Sequence, residues 1–267
     1  MRGHRVIGAI ACGLAVWLAA SAPTGAQSNV DQMSQLQIAL ACAPPPVIGT
    51  APHDVLHVAG AQTASARSLF DGHDILVLDA GADKGVALGQ EFFIRRRVTI
   101  GMFITDESTP RGVHTAAWAR VVAVDANRSL AAVEHDCGPI YQGDYLEPFV
   151  APAVPANIDK TDTSGNPDFE SAGRIVFGDY EHATAGVGEF MIVDKGADQG
   201  ATPGTRYAVY RSVDMWWQQG DHIKHPPMPL ASVGEAVVVS SAKSLSVVRI
   251  VAGRDAIRSG DLIVPRK

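Results

Sequence analysis

Short apolar runs, each cut off by glycine, aspartate or proline, dominate the chain beyond residue 57. Ile75-Leu76-Val77-Leu78 reads as a strand that ends in a Gly/Asp segment, and Phe92 to Arg96 resumes strand character. Further on, Val121 to Val124 meets the polar stretch Asp125 to Arg128, after which Ser129 to Val133 runs back; this is a hairpin pattern. Gly143-Asp144-Tyr145-Leu146 reads as a turn feeding a closing strand. Helical periodicity is confined to Val30 to Leu40, with Asp31 as the expected N-cap and Pro44-Pro45-Pro46 as the stop. Short strands with closely spaced turn signals predict an all-β chain of small barrels or sandwiches, not a βαβ fold.

The same pattern occurs twice. Ile75 to Arg96 (ILVLDAGADKGVALGQEFFIRR) aligns with Phe190 to Arg211 (FMIVDKGADQGATPGTRYAVYR), with Asp79/Asp194, Gly81/Gly196, Asp83/Asp198, Gly85/Gly200, Gly89/Gly204 and Arg96/Arg211 each 115 residues apart. Ala119 to Pro148 aligns with Ala236 to Pro265 at a spacing of 117, which pairs Val121/Val238, Ile140/Ile257, Asp144/Asp261 and Pro148/Pro265. A gene duplication explains so many Gly and Asp coincidences in one register, and the two-residue difference falls between the blocks. The glycines at 81, 85, 89, 196, 200 and 204 are expected to make structural turns. Residues 151–173, rich in Pro, Asn, Ser and Gly, read as an exposed, semi-flexible linker. Thr99 to Ala117 and Val213 to Val233 read as the variable loops.

The expected organisation is therefore a signal peptide (1–26), an N-terminal segment with a short helix and a proline-rich stretch (27–57), a β-domain (58–150), the linker (151–173) and a second β-domain (174–267). Arg2 and Arg5 form a positive start, Val6 to Ser21 is apolar or small throughout, and Thr24-Gly25-Ala26 offers a cleavage site after Ala26. The alternative is an uncleaved N-terminal anchor. Cys12 lies inside the apolar run and Cys42 too far beyond the basic start to serve as a lipidation site. Cleavage leaves Cys42 and Cys137 as the only thiols of a chain in an oxidising compartment; they form a disulfide or remain two unpaired thiols. It also leaves 20 Lys+Arg against 28 Asp+Glu, a net charge of −8. That charge, with no basic cluster beyond Arg95-Arg96-Arg97, speaks against a nucleic-acid binder. No span of a membrane is expected in the mature form.

Candidate chemistry is sparse. Asp79 and Asp83, or Asp194 and Asp198, offer hard oxygen ligands, but an EF-hand needs a bidentate Glu at its twelfth position, and Arg206 falls close to that place in the second copy. Hydrogen bonds from turn amides to these carboxylates are the simpler reading. His222 and His225 have a spacing suited to a transition metal but lack a fixed third ligand. Trp216, Trp217 and Trp118 are the candidates for stacking on sugar faces. There is no Gly-x-Ser-x-Gly elbow and no His-Glu-x-x-His, so neither an enzyme nor a cofactor is expected.

Taken together, the strand, the Asp-x-Gly-x-x-x-Gly-x-x-x-Gly turn, the aromatic strand ending in Arg and the final Gly-Asp-x-hydrophobic-x-Pro resemble the β-domain that follows LysM modules in bacterial envelope proteins. They are also similar to the C-terminal domain of the flagellar assembly protein T family. The resemblance implies an exported, periplasmic scaffold or assembly module whose partner is an envelope protein complex, or alternatively a binder of peptidoglycan.

Overall fold

The computed structural model describes residues 33–49, 52, 55–63, 65–99, 111–179, 182–213 and 229–267. It is almost wholly β, with one helix, α1 (Gln35–Cys42). The first copy contains β1 (Val58–Ala61), β2 (Leu69–Phe70), β3 (Ile75–Leu78), β4 (Glu91–Thr99), β5 (Arg111–Val124), β6 (Ser129–Asp136), β7 (Ile140–Tyr141) and β8 (Tyr145–Pro148). The second contains β9 (Gly173–Gly178), β10 (Thr184–Ala185), β11 (Phe190–Val193), β12 (Arg206–Ser212), β13 (Leu230–Ser241), β14 (Ser246–Gly253), β15 (Ile257–Arg258) and β16 (Leu262–Pro265).

The two copies share one topology. In the second, β11-β14-β13-β12-β16-β9 closes into a barrel. In the first, β1-β3-β6-β5-β4-β8 has the same order and curls until its edges meet: His57 bridges to Tyr145, Val58 N–H donates to Asp144 O (2.9 Å) and Leu146 N–H to Leu56 O (2.8 Å). Each barrel carries the same two-stranded flap, β2-β7 or β10-β15. Alternation along the strands fills both interiors at matched positions, with Leu76, Leu78, Phe92 and Val121 in the first core and Met191, Val193, Tyr207 and Val238 in the second.

Why the motif repeats is now physical. Asp79 Oδ1 accepts the His57 N–H (2.7 Å), and Asp194 Oδ1 the Arg174 N–H (2.6 Å), so each aspartate secures the first strand of its barrel and not the turn that follows it. At Gly81 and Gly196 a Cβ would lie 2.2 and 2.3 Å from the backbone oxygens of Asp125 and Lys243 in the opposing hairpin turn; only glycine permits that approach. Near the closing strand, Arg96 forks onto Asp144 through Nε and Nη2 (both 2.7 Å) and onto Pro139 O (2.8 Å). Arg211 repeats this on Asp261 (both 2.8 Å) and Ala256 O (2.6 Å). These bidentate pairs also take in the Tyr141 and Arg258 N–H groups, so both oxygens of each carboxylate accept at least one hydrogen bond in a poorly hydrated place.

Three expectations are corrected. The helix starts at Gln35, because Ser34 supplies the N-cap and forms a capping box with Gln37, where Asp31 was expected. The segments read as variable loops are partly strand: β5 begins at Arg111 and β13 at Leu230, since the hairpins continue pairing past the barrel wall, as in Arg97↔Val113 and Ser212↔Leu230. The linker is irregular and mostly exposed, yet it is strapped to the second barrel. Ile158 is buried against that barrel, a gain of about 1.5–3 kcal/mol, Arg206 donates to the Lys160 and Asn157 carbonyls, and Arg249 pairs with Asp159.

The Arg–Asp fork is therefore expected to be a main stabiliser of each copy. Asp144→Ala leaves Arg96 facing a nearly dry site and is expected to cost about 3 kcal/mol in urea-induced unfolding, whereas removing the exposed Asp83 carboxylate by Asp83→Ala should change stability by less than about 0.5 kcal/mol.

Candidate interaction surface

The junction between the barrels is built around α1. Its sequence, QLQIALAC, has too few polar residues to leave a solvated face, and both of its sides are used. Leu40 and Ala43 pack with Phe177, Phe190, Ile192, Val237, Val239 and Val247 on the outside of the second barrel. Ala41 packs with Phe93 and Trp118 on the outside of the first, with Ile38 and Phe149 alongside. Cys42, the last residue of the helix, is bonded to Cys137 (Cα–Cα 5.4 Å), which clips α1 to the strand end of the first copy. Pro44 to Pro46 then stop the helix, since proline lacks the N–H it needs.

A second contact flanks the first. Beyond the barrel wall the β4–β5 hairpin leans on the second barrel, where the absent side chain of Gly112 makes room for the Phe177 ring; a Cβ there would be 2.6 Å from its Cζ. His114, almost fully buried, meets Asp179 (Nδ1–Oδ1 3.0 Å). Thr115 Oγ1 donates to Ala43 O (3.4 Å) and accepts from Arg95 Nη1 (3.3 Å).

Beside this junction lies a groove of about 570 Å³ whose walls include Pro44, Pro45, Pro46, Phe93, Pro152 and Pro203. Val47, Val150 and Val154 leave apolar surface exposed nearby, Val150 with 74% of its surface open. Among the described residues Arg95 is the one charged residue of the lining. Its guanidinium lies 4.4 Å above the Phe93 ring, and its Nε is 2.9 Å from Glu147. Burial lowers the Arg95 pKa and the Glu147 carboxylate opposes that shift. Neighbouring Tyr145 is pushed up to about 12, first by burial and then by Glu147. Prolines offer no amide donors, so most of the groove wall is apolar, and Arg95, Ser240 and Ser241 supply the polar side chains of the lining.

The residues singled out from sequence have separate fates. Trp118 is fully buried, stacked on His135 (4.7 Å) and Phe149 (5.5 Å), so it presents no face to a sugar; its large apolar surface is needed at the α1 junction. Trp216, Trp217, His222 and His225 lie outside the described residues. Asp83, Asp194 and Asp198 are exposed at the turns, and Asp79 meets His57 Nδ1 at 3.3 Å. Among the described residues no three His, Cys, Asp or Glu side chains gather as a metal site. The disulfide between Cys42 and Cys137 is present, and Gly85, Gly89, Gly200 and Gly204 take the positive φ expected of turn glycines. The groove itself had one sequence signal, the run Pro44-Pro45-Pro46 next to a helix with no polar stripe. No helix among the described residues is long and apolar enough to cross a membrane. No family model and no curated protein matches the chain.

The raised Tyr145 pKa has a definite consequence. A pKa higher in the folded than in the unfolded chain gives stability that is complete below the unfolded value near 10 and disappears as pH rises through about 12. Stability measured by denaturant unfolding should fall across that window, and Tyr145→Phe should flatten the fall; an unchanged slope in the variant would refute the assignment.

Proposed function

We propose that the protein is an exported, non-enzymatic module of the bacterial cell envelope that acts as a scaffold or assembly factor, seating an extended apolar segment of a partner protein in the proline-lined groove between its barrels. The observation that carries this reading is the groove itself: a rigid apolar trough, held open by a disulfide-clipped helix and rimmed by exposed valines. Holding a trough in place before a partner arrives lowers the ordering cost of binding. A disulfide supports passage through an oxidising compartment, in keeping with the signal-like residues 1–26. The resemblance of the repeat to envelope β-domains and to the flagellar assembly protein T family points the same way. Peptidoglycan binding is less well supported, because glycan sites combine aromatic platforms with several hydrogen-bonding groups, and the groove contributes few of the latter.

Two measurements test this. Titration with peptides that alternate valine or leucine with small polar residues should give binding in the micromolar range, weakened at least tenfold by Val150→Asp, which places a charge in the rim without disturbing a core. Sedimentation with purified insoluble peptidoglycan should leave the protein in the supernatant. Co-sedimentation that Val150→Asp leaves intact would overturn the scaffold reading in favour of the glycan one.

A further inference from the structure

Beside each flap the two copies build the same carboxylate turn. In the first, the Asp71 N–H donates to Asp74 Oδ2 (3.0 Å); in the second, the Gly186 N–H donates to Glu189 Oε2. The surrounding bonds repeat in the same register. Gln142 N–H to Ser68 O is matched by Ser259 N–H to Ala183 O, Asp74 N–H to Asp71 O by Glu189 N–H to Gly186 O, and the pair Phe70↔Ile140 by Ala185↔Ile257. Asp74 and Glu189 are therefore true counterparts in space.

What differs is the cation. In the first copy Arg67 donates to Oδ1 of Asp74, and its guanidinium lies 5.9 Å from the centre of the Phe70 ring. So covered, the Asp74 side chain is only 10% exposed. In the second copy His182 stands where Arg67 does and Ala185 where Phe70 does, and Glu189 is exposed. Among the described residues no Lys, Arg or His forms an ion pair with Glu189. Arg249 on neighbouring β14 is turned onto Asp159 and the Gly188 carbonyl. The shorter side chains at 182 and 185 empty the place that a guanidinium fills in the first copy.

A cavity of about 320 Å³ opens at this place. Ala39 and Ala43 of α1 give it an apolar wall, Phe190 contributes ring surface, and Asp179 and Glu189 each bring a carboxylate. Asp179 is held by His114, whereas Oε1 of Glu189 accepts no hydrogen bond among the described residues. Apolar walls around an acidic acceptor suit a cation carried on an apolar stem.

We infer that this cavity takes the guanidinium of an arginine side chain presented by a partner protein, with Glu189 accepting from it as Asp74 accepts from Arg67. The net negative charge of the chain draws a basic partner towards it. The site is separate from the proline-lined groove, whose lining includes neither Glu189 nor Asp179, and it holds whether or not that groove is filled.

The probe is Nα-acetyl-L-arginine methylamide, which carries the side chain without charged termini; its citrulline analogue, of nearly the same shape but neutral, is the control. In amide spectra of the ¹⁵N-labelled mature chain, the arginine compound should shift the Gly186, Glu189 and Phe190 signals with a dissociation constant in the millimolar range, and the citrulline compound should not. Glu189→Gln keeps an acceptor for the Gly186 N–H and should weaken binding about fivefold or more. His182→Arg supplies the cation from within the chain, as Arg67 does in the first copy, and should abolish binding while thermal melting stays unchanged or rises. The inference is overturned by an absence of shifts at tens of millimolar probe, by equal shifts from the citrulline compound, or by either variant binding as the wild type does.

Discussion

The geometry of the molecule depends on the burial of a helix that has no polar face. An isolated helix of eight residues is not stable in water, and α1 persists because two barrels and a covalent bond hold it. The dependence is mutual. Without α1 the outward residues Phe190, Ile192 and Val247 of one barrel and Phe93 and Trp118 of the other would face water, and the barrels would be joined mainly by the hairpin contact and the strapped linker. The Cys42–Cys137 bridge closes a loop of 95 residues and, in the chain-entropy view, contributes about 4 kcal/mol by restricting the unfolded chain. Its position also fixes which barrel the helix belongs to covalently and which it holds by packing alone.

Much of the β architecture was legible because its signals are local. Alternation between Leu76, Leu78 and the outward Ile75 and Val77 states a strand with two different faces, and the glycine and aspartate spacing states the turns. Repetition then amplified these signals, since a coincidence at Gly81/Gly196 or Arg96/Arg211 is evidence that neither position supplies alone. What the spacing could not convey was the partner of each residue. Asp79 and Asp194 looked like turn ligands, and they serve instead to hold the first strand of each barrel, a contact across 22 and 20 residues of chain.

The candidate surface was harder to read for the same reason. Trp118 has the composition of a sugar platform and the environment of a core residue, and only the arrival of α1 and Phe149 decides between them. Arg95, one of three consecutive arginines, gave no sign that it would be buried while Arg97 stays exposed; pairing with Glu147 and Thr115 separates them. The groove is formed by residues drawn from α1, the linker and both barrels, so no window of sequence contains it.

Duplication has a cost that bears on function. Two copies of one fold inherit the same outer surfaces, and a surface that is apolar in both must be covered in both or altered in one. Here the copies diverged unequally. The second barrel kept large residues, Phe177, Phe190 and Ile192, under the helix and hairpin that cover them, and the first has smaller ones, Gly60, Ile75 and Val77, at the same places. The first barrel's face adapted to solvent by acquiring charge: where the second has Val237 and Val251, it carries Arg120 and Glu134, paired with each other, and Arg128 stands where the second has Leu245. The divergence follows the helix: α1 covers the outer face of the second barrel, which stays apolar, and the corresponding face of the first meets water with an ion pair among its smaller apolar residues.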